Sequence, residues 1–345
     1  DFACSVAQTA LWIAEAQMMQ VTDEIVGFSL DPLPLKTYTN IHEGNALRMD
    51  WNEVVPAAEL DYIMGNPPFV GARFKSTEQG DDLVAVFGSQ WKNIGNLDYV
   101  TGWYKKSWEM MKIHSSIRAA FVSTNSITQG EQVPALWKPL MESGVQIDFA
   151  WRTFIWDSEA MQKAHVHCVI VGFSLCHSER KRRIFDGKDV IDASNINGYL
   201  IDGDNVFIEA RSHPICAVPE IGIGNKPIDG GFYLFKDDEK EEFVKKEPGS
   251  ERYFKRWYGA DEFINRRPRW CLWLGDANPV DLLKLPECMK RIEAVRDYRL
   301  ASPSPGTVKL ADKPTRFHVE NMPKGHYIVI PQVSSQRRPY IPMGY

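Results

Sequence analysis

The chain of 345 residues is 44% hydrophobic and 25% charged, enough for one large or two ordinary domains with apolar cores. It contains no apolar run of the roughly 18 residues that a membrane-spanning helix needs, and no signal-peptide pattern, so neither an anchor nor an export sequence is expected. Its net charge of −5 argues against a uniformly basic nucleic-acid binder, but residues 1–150 hold 10 Lys and Arg against 18 Asp and Glu, whereas residues 151–345 hold 30 against 27.

In chain order, residues 2–20 are Ala-rich with apolar side chains at helical spacing, which predicts a helix. Short apolar runs follow at 42–47, 60–64, 119–123, 147–150 and 167–174, each bounded by Gly, Asn, Pro or charged residues and each predicting a strand. Between them, 97–112 and 133–143 show helical periodicity. Strands alternating with helices predict a mostly parallel α/β sheet. After about Phe173 the pattern changes to frequent Pro and Gly with aromatic-rich segments, predicting a second, mixed α+β domain from residue 176, with a helix over 279–296. Residues 237–246 read as an exposed helix or turn. Asp1 in place of Met, and an apolar pattern running to Tyr345, are expected of a segment cut from a longer polypeptide.

The six cysteines, Cys4, Cys168, Cys176, Cys216, Cys271 and Cys288, form no CxxC pair and lie among apolar neighbours, as expected of reduced, buried thiols in a cytoplasmic protein. No His/Cys cluster has zinc-ligand spacing, so no metal is expected. His165 and His167 read as structural. Basic residues cluster at Arg180-Lys181-Arg182-Arg183, at Arg266, Arg267 and Arg269, and at Arg337-Arg338, a distribution that suits phosphate contact.

The sharpest local pattern is Asp61-Tyr62-Ile63-Met64-Gly65-Asn66-Pro67-Pro68-Phe69. An apolar strand ends in Gly and is followed by Asn-Pro-Pro-aromatic, at the strand end where parallel sheets bind ligands. The proline rings fix φ, so the Asn66 side chain and the Pro67 carbonyl hold a set direction. Two rigid acceptors suit an exocyclic amino group such as adenine N6, whose lone pair is delocalised into the ring and is a poor nucleophile. Accepting both N–H hydrogens favours a tetrahedral nitrogen aimed at a methyl sulfonium, and no general base is needed beforehand because the product ammonium loses its proton easily. Phe69 would stack on a base that has left the duplex. The plain alternative is a tight Pro-Pro loop with no such role.

Asn66-Pro67-Pro68-Phe69 resembles the fourth motif, [N/D/S]PP[Y/F/W] after a strand, of the gamma-type N6-adenine DNA methyltransferases. Flanking segments resemble further motifs in the same order, most closely those of the MmeI-like (type IIL) group, in which nuclease, methyltransferase and target-recognition domains share one polypeptide. Residues 40–50 resemble the third motif, which implies that Asn45, in a usually acidic position, and Ala46 meet the cofactor adenine. Asp98 and Tyr99 resemble the fifth, which with Asn66 lines the cofactor pocket. Residues 119–130 resemble the sixth, and 149–173 the eighth, whose aromatic side chain sandwiches the everted base opposite Phe69; Phe154 and Trp156 are both candidates. Residues 257–274 and 327–345 resemble the group's recognition domain.

The resemblance implies S-adenosyl-L-methionine as cofactor and double-stranded DNA as partner. It also implies a Rossmann-like methyltransferase sheet, of which residues 1–175 are the C-terminal portion, followed by a truncated target-recognition domain at 176–345. The family's Gly-rich first motif, the acidic residue that takes the ribose hydroxyls and the N-terminal nuclease are all missing from this sequence, so the chain alone is expected to bind cofactor poorly and catalyse little. In the second domain Gln332, Ser334, Gln336, Arg337 and Arg338 follow an apolar run and are candidates for base edges. Arg266, Arg267 and Arg269 are candidates for phosphate or structural contacts, since Trp270 and Trp273 beside them read as buried. The function expected is sequence-specific adenine-N6 methylation within a restriction–modification enzyme. The alternatives are an RNA or protein N-methyltransferase and a DNA-recognition module without activity.

Overall fold

The computed structural model describes residues 2–27, 41–156, 166–175, 181–218, 221–267, 269–322, 325–334 and 338–345, without the side chain of Trp156. The chain divides into two compact units, 1–212 and 213–345. Cys176, Arg180 and His165 lie outside the described residues.

The first unit contains α1 (Phe2–Val26), α2 (Trp51–Val54), β1 (Tyr62–Gly65), α3 (Thr77–Phe87), α4 (Thr101–Ile113), β2 (Arg118–Thr124), α5 (Gln132–Glu142), β3 (Gln146–Trp156), β4 (Val166–Ser174), β5 (Arg182–Asp186) and β6 (Asp189–Ala193). The strands form one sheet in the order β1-β2-β4-β3-β5-β6. β1 and β2 are parallel, as are β3 and β5, and the other pairs are antiparallel, so the sheet is mixed where a mostly parallel one was expected. The cause is β4: only nine residues separate it from β3, too few for the dozen or more that a parallel crossover takes. The β5–β6 hairpin, turning at Gly187 (φ 62°), adds to the same sheet and carries the first unit past the division expected near residue 175.

One face of the sheet is closed by α4 and α5. Tyr104 stacks on Phe173 with ring centroids 5.0 Å apart and meets Phe121 and Trp137 edge-on, all four side chains being fully buried. On the other face Met64, Ala120, Gly172 and Phe149 form one cross-strand row, and Val122, Ile170, Trp151 and Phe185 the next. Gly172 is required there: a Cβ would stand 2.1 Å from the Phe149 ring. This face is partly open, with Met64 79% and Trp151 38% exposed, and α1 has no buried residue.

The second unit has a three-stranded antiparallel sheet, β7 (Leu234–Phe235), β9 (Arg269–Leu272) and β8 (Phe254–Trp257) in that order. Around it lie α6 (Asp237–Lys246), α7 (Ala260–Asn265), α8 (Pro279–Leu282), α9 (Pro286–Leu300) and α10 (Pro305–Lys309). Tyr233, Phe235, Phe243, Phe254, Leu272, Trp273 and Val295 make its core. The Glu247 carboxylate accepts the Glu287 and Cys288 N–H groups, satisfying the open N-terminus of α9. Arg299, fully buried on α9, gives all five guanidinium donors to the carbonyls of Pro227, Ile228, Leu310, Lys313 and Arg316.

Two expected elements differ. Residues 42–47 form a turn instead of a strand, because Asn45 Oδ1 accepts the Leu47 N–H (3.0 Å) and the Asn45 carbonyl accepts from Arg48 and Met49. The helix expected over 279–296 is broken at Leu285, whose backbone is turned out of the helical region by Pro286, the first residue of α9. Of the described cysteines, Cys168, Cys271 and Cys288 are buried, as expected, but Cys216 is exposed and Cys4 half-buried. Burial pushes the Cys271 thiol up to about 11, keeping it protonated. Among the described residues no helix is long and apolar enough to cross a membrane.

Candidate functional site

Because β1, β2 and β3 point the same way, their carboxyl ends share one edge of the sheet. Asn66 follows β1 there and is exposed, Pro67 is buried, Pro68 is exposed and Phe69 is half-buried. Tight seating of Pro67 anchors the corner, while Asn66 faces out. Among the described residues neither the Asn66 side chain nor the Pro67 carbonyl has a hydrogen-bond partner. The next residues are lashed down: the Val70 carbonyl accepts the Tyr99 N–H (2.9 Å), Asp98 Oδ1 accepts the Ala72 N–H (2.7 Å), and Lys75 Nζ donates to the Leu97 carbonyl (2.6 Å).

Asp98, expected at the cofactor, has its carboxylate committed inside the protein. Oδ1 also accepts from Gln132 Nε2 (2.9 Å), and Oδ2 accepts from the hydroxyls of Thr124 (2.7 Å) and Ser126. Each oxygen therefore has two donors, and no lone pair is left for a ligand. Gln132 Oε1 in turn accepts the Asp98 N–H (3.0 Å).

Asn45 and Tyr99 are brought together by Asp82, a buried residue of α3 that the sequence reading did not single out. Asp82 Oδ2 accepts from Asn45 Nδ2 (2.8 Å) and the Tyr99 hydroxyl (2.7 Å), and Oδ1 accepts from Arg48 Nε (2.5 Å). The Ala46 carbonyl accepts Trp51 Nε1 (2.8 Å). Burial, then the bond to Asp82, push the Tyr99 hydroxyl up to about 12, so it stays a donor. Burial alone would raise the Asp82 carboxyl, but the hydrogen bonds from Tyr99, Arg48 and Asn45 outweigh it and hold it below its ordinary value.

A depressed folded-state value stabilises the fold above the unfolded value, near pH 4, and that stability is lost as pH falls through the folded value. Asp82→Asn is therefore expected to lower the Tm at pH 7 and to flatten the fall in Tm on acidification below about pH 4, where the two proteins converge. Melting curves at a series of pH values check this; curves that stay parallel throughout contradict it.

On β3, Phe154 is half-buried and pairs with Cys168, and Trp156 is the last residue of the strand. β1 and β3 are separated by β2 and β4, three strand spacings or about 14 Å along the sheet.

In the second unit Arg266 and Arg267 are exposed, Arg266 ending α7 at φ 53°. Arg269 is paired with the buried Glu262 (2.5 Å) and has a structural partner. Trp273 is buried as expected, whereas Trp270 is half-buried between the cations of Lys240 (3.8 Å) and Arg256 (4.0 Å). Gln332, Ser334 and Arg338 are exposed on a loop whose ends are joined by the Val329–Gly344 bridge, and Gln336 and Arg337 lie outside the described residues. In the first unit, Lys181 and Arg183 face Asp192 and Arg182 donates to the Ser194 carbonyl, so that cluster is largely occupied locally. No group of three or more metal-ligating side chains converges among the described residues.

A mixed sheet with an Asn-Pro-Pro-Phe corner at its carboxyl edge, followed by a separate unit with exposed basic loops, is the architecture of a methyltransferase domain joined to a recognition domain. Residues 1–186 match the family described as MmeI, DNA-methyltransferase domain, and residues 202–345 match MmeI, target recognition domain. The chain belongs to the MmeI family of DNA methyltransferases. It is 40% identical over 347 residues to DNA methyltransferase A of Bacillus subtilis (strain 168), covering 100% of this chain and 39% of that protein. The structure of the type IIL restriction-modification enzyme MmeI in complex with DNA matches with a TM-score of 0.89 at 43% identity, covering 99% of this chain and 46% of that one. The chain thus spans less than half the length of both relatives.

Proposed function

We propose that the protein methylates N6 of an adenine everted from a specific site in duplex DNA, using S-adenosyl-L-methionine, as part of a restriction–modification polypeptide. The observation that carries this reading is the pair of uncommitted acceptors, Asn66 Oδ1 and the Pro67 carbonyl, on a proline-fixed corner at the ligand-binding edge of the sheet. Each takes one N6–H at roughly 2.7–3.2 Å, drawing the nitrogen lone pair out of conjugation and aiming it. Phe69 holds one face of the base, and Phe154 or Trp156 the other. S-Adenosyl-L-methionine supplies an electrophilic methyl group on sulfonium. Of the residues present, the Gly44–Ala46 turn, exposed at Gly44 and Asn45, would take its adenine; the Asn45 amide is turned inward to Asp82 and the Tyr99 side chain is buried, so contact there falls to the turn's backbone.

Digesting duplex DNA to nucleosides after reaction of the full-length protein with methyl-labelled cofactor tests the reading. Label is expected in N6-methyldeoxyadenosine. Label in N4-methyldeoxycytidine, or in RNA or protein offered in parallel reactions, supports another N-methyltransferase, and no label with specific DNA binding supports a recognition module. In the second unit, Arg338→Ala is expected to change sequence preference, since a bidentate Arg–guanine contact is worth roughly 1–3 kcal/mol of discrimination. Arg267→Ala is expected to weaken binding equally on all sequences. Binding isotherms on cognate and single-mismatch duplexes separate the two, and an identical uniform loss from both contradicts the assignment.

A further inference from the structure

The four protein donors on Asp98 come from three segments: Ala72 from the loop after β1, Thr124 and Ser126 from the end of β2, and Gln132 from the start of α5. We propose that Asp98 is a positioning residue for methyl transfer, setting the loop that carries Asn66 and Phe69 against the end of β2 and acting on the substrate only through that loop. The proposal rests on the reading of Asn66 given above.

The side chain is buried, and its hydrogen bonds require acceptors in a definite arrangement. The Ala72 N–H cannot turn away, and the Gln132 amide is held the right way round by accepting the Asp98 N–H at Oε1. Those two donors therefore demand an oxygen at the Oδ1 position. The Thr124 and Ser126 hydroxyls can rotate and accept instead of donate. An Asn in this position satisfies the whole set, with its oxygen toward Ala72 and Gln132 and its NH₂ toward the two hydroxyls. An Ala leaves these four half-buried polar groups without the carboxylate that joins them and the loop free to shift. A displacement of about 1 Å at a reacting centre can cost about 100-fold in rate.

A group that reads the cofactor by its charge behaves in the opposite way: the isosteric neutral variant fails. The test is the single-turnover rate of methyl transfer to a cognate duplex, and the Kd of S-adenosyl-L-methionine, for the full-length protein and its Asp98→Asn and Asp98→Ala variants. Asp98→Asn is expected within about threefold of the unmodified protein in both quantities, and Asp98→Ala about 100-fold slower with Kd changed less than about threefold. An Asp98→Ala variant as fast as the unmodified protein, or an Asp98→Asn variant with cofactor Kd raised about tenfold or more, overturns the proposal. If Asp98→Ala does not fold, Ser126→Ala decides, with a rate about 3–10-fold lower at unchanged Kd expected and an unchanged rate contradicting it. Should the unmodified protein place no methyl on adenine, the reading of the site fails, which is distinct from failure of the role of Asp98.

Discussion

Asn66→Ala in the full-length protein is expected to cut kcat for methyl transfer by about 10²–10³-fold, the range seen when one preorganised polar contact to developing charge is removed. Folding should be untouched. Asn66 is exposed and its side chain has no partner among the described residues, so its truncation belongs with surface changes worth within about 0.5 kcal/mol. DNA and cofactor affinities should also hold, because the contact matters most as the nitrogen becomes tetrahedral and gains charge. Rapid-quench methylation kinetics beside filter-binding isotherms check both halves. A fall in affinity proportional to the fall in rate contradicts the assignment of Asn66 to the reacting amino group.

The largest stability effect is expected at Arg299. Its five N–H groups go to five separate carbonyls from residues 227–228 and 310–316, so one planar cation ties two loops to α9. Lys keeps the charge but has only three donors, leaving at least two of the carbonyls around this buried side chain unpaired at roughly 1–3 kcal/mol each. Arg299→Lys is therefore expected to destabilise the second unit by roughly 2–6 kcal/mol. Denaturant titration followed by Trp fluorescence reads this directly, Trp273 being in the same core. A loss below about 1 kcal/mol contradicts the view that the carbonyl cage holds these loops.

Asn66-Pro67-Pro68-Phe69 was legible because its geometry is imposed covalently: proline rings limit φ whatever surrounds them. β2, β4 and α5 were legible because each has an apolar run of one period against one core, and β1 because its apolar run ends in Gly before the Asn-Pro-Pro corner. The hydrogen-bond hubs were not. Asp98 takes its donors from 26 and more residues away in sequence, and only folding brings them together. Asp82 sits on the buried side of α3, where an acidic residue interrupts the apolar stripe and hides the helix itself. Its partner Asn45 turned an expected strand into a loop by accepting the Leu47 N–H at its side-chain oxygen. The hairpin β5–β6 and the strands β7 to β9, of two to five residues each, are too short to announce themselves by periodicity.

Methyl transfer turns on where the adenine amino group goes. The most direct measurement is a structure of the full-length protein with a cognate duplex and a non-reactive analogue of the methyl donor, read at the target base. N6 is expected within about 3.2 Å of both Asn66 Oδ1 and the Pro67 carbonyl, with the ring of Phe69 against the base. A target adenine still stacked in the duplex, or an N6 that meets other groups while Asn66 faces solvent, contradicts it.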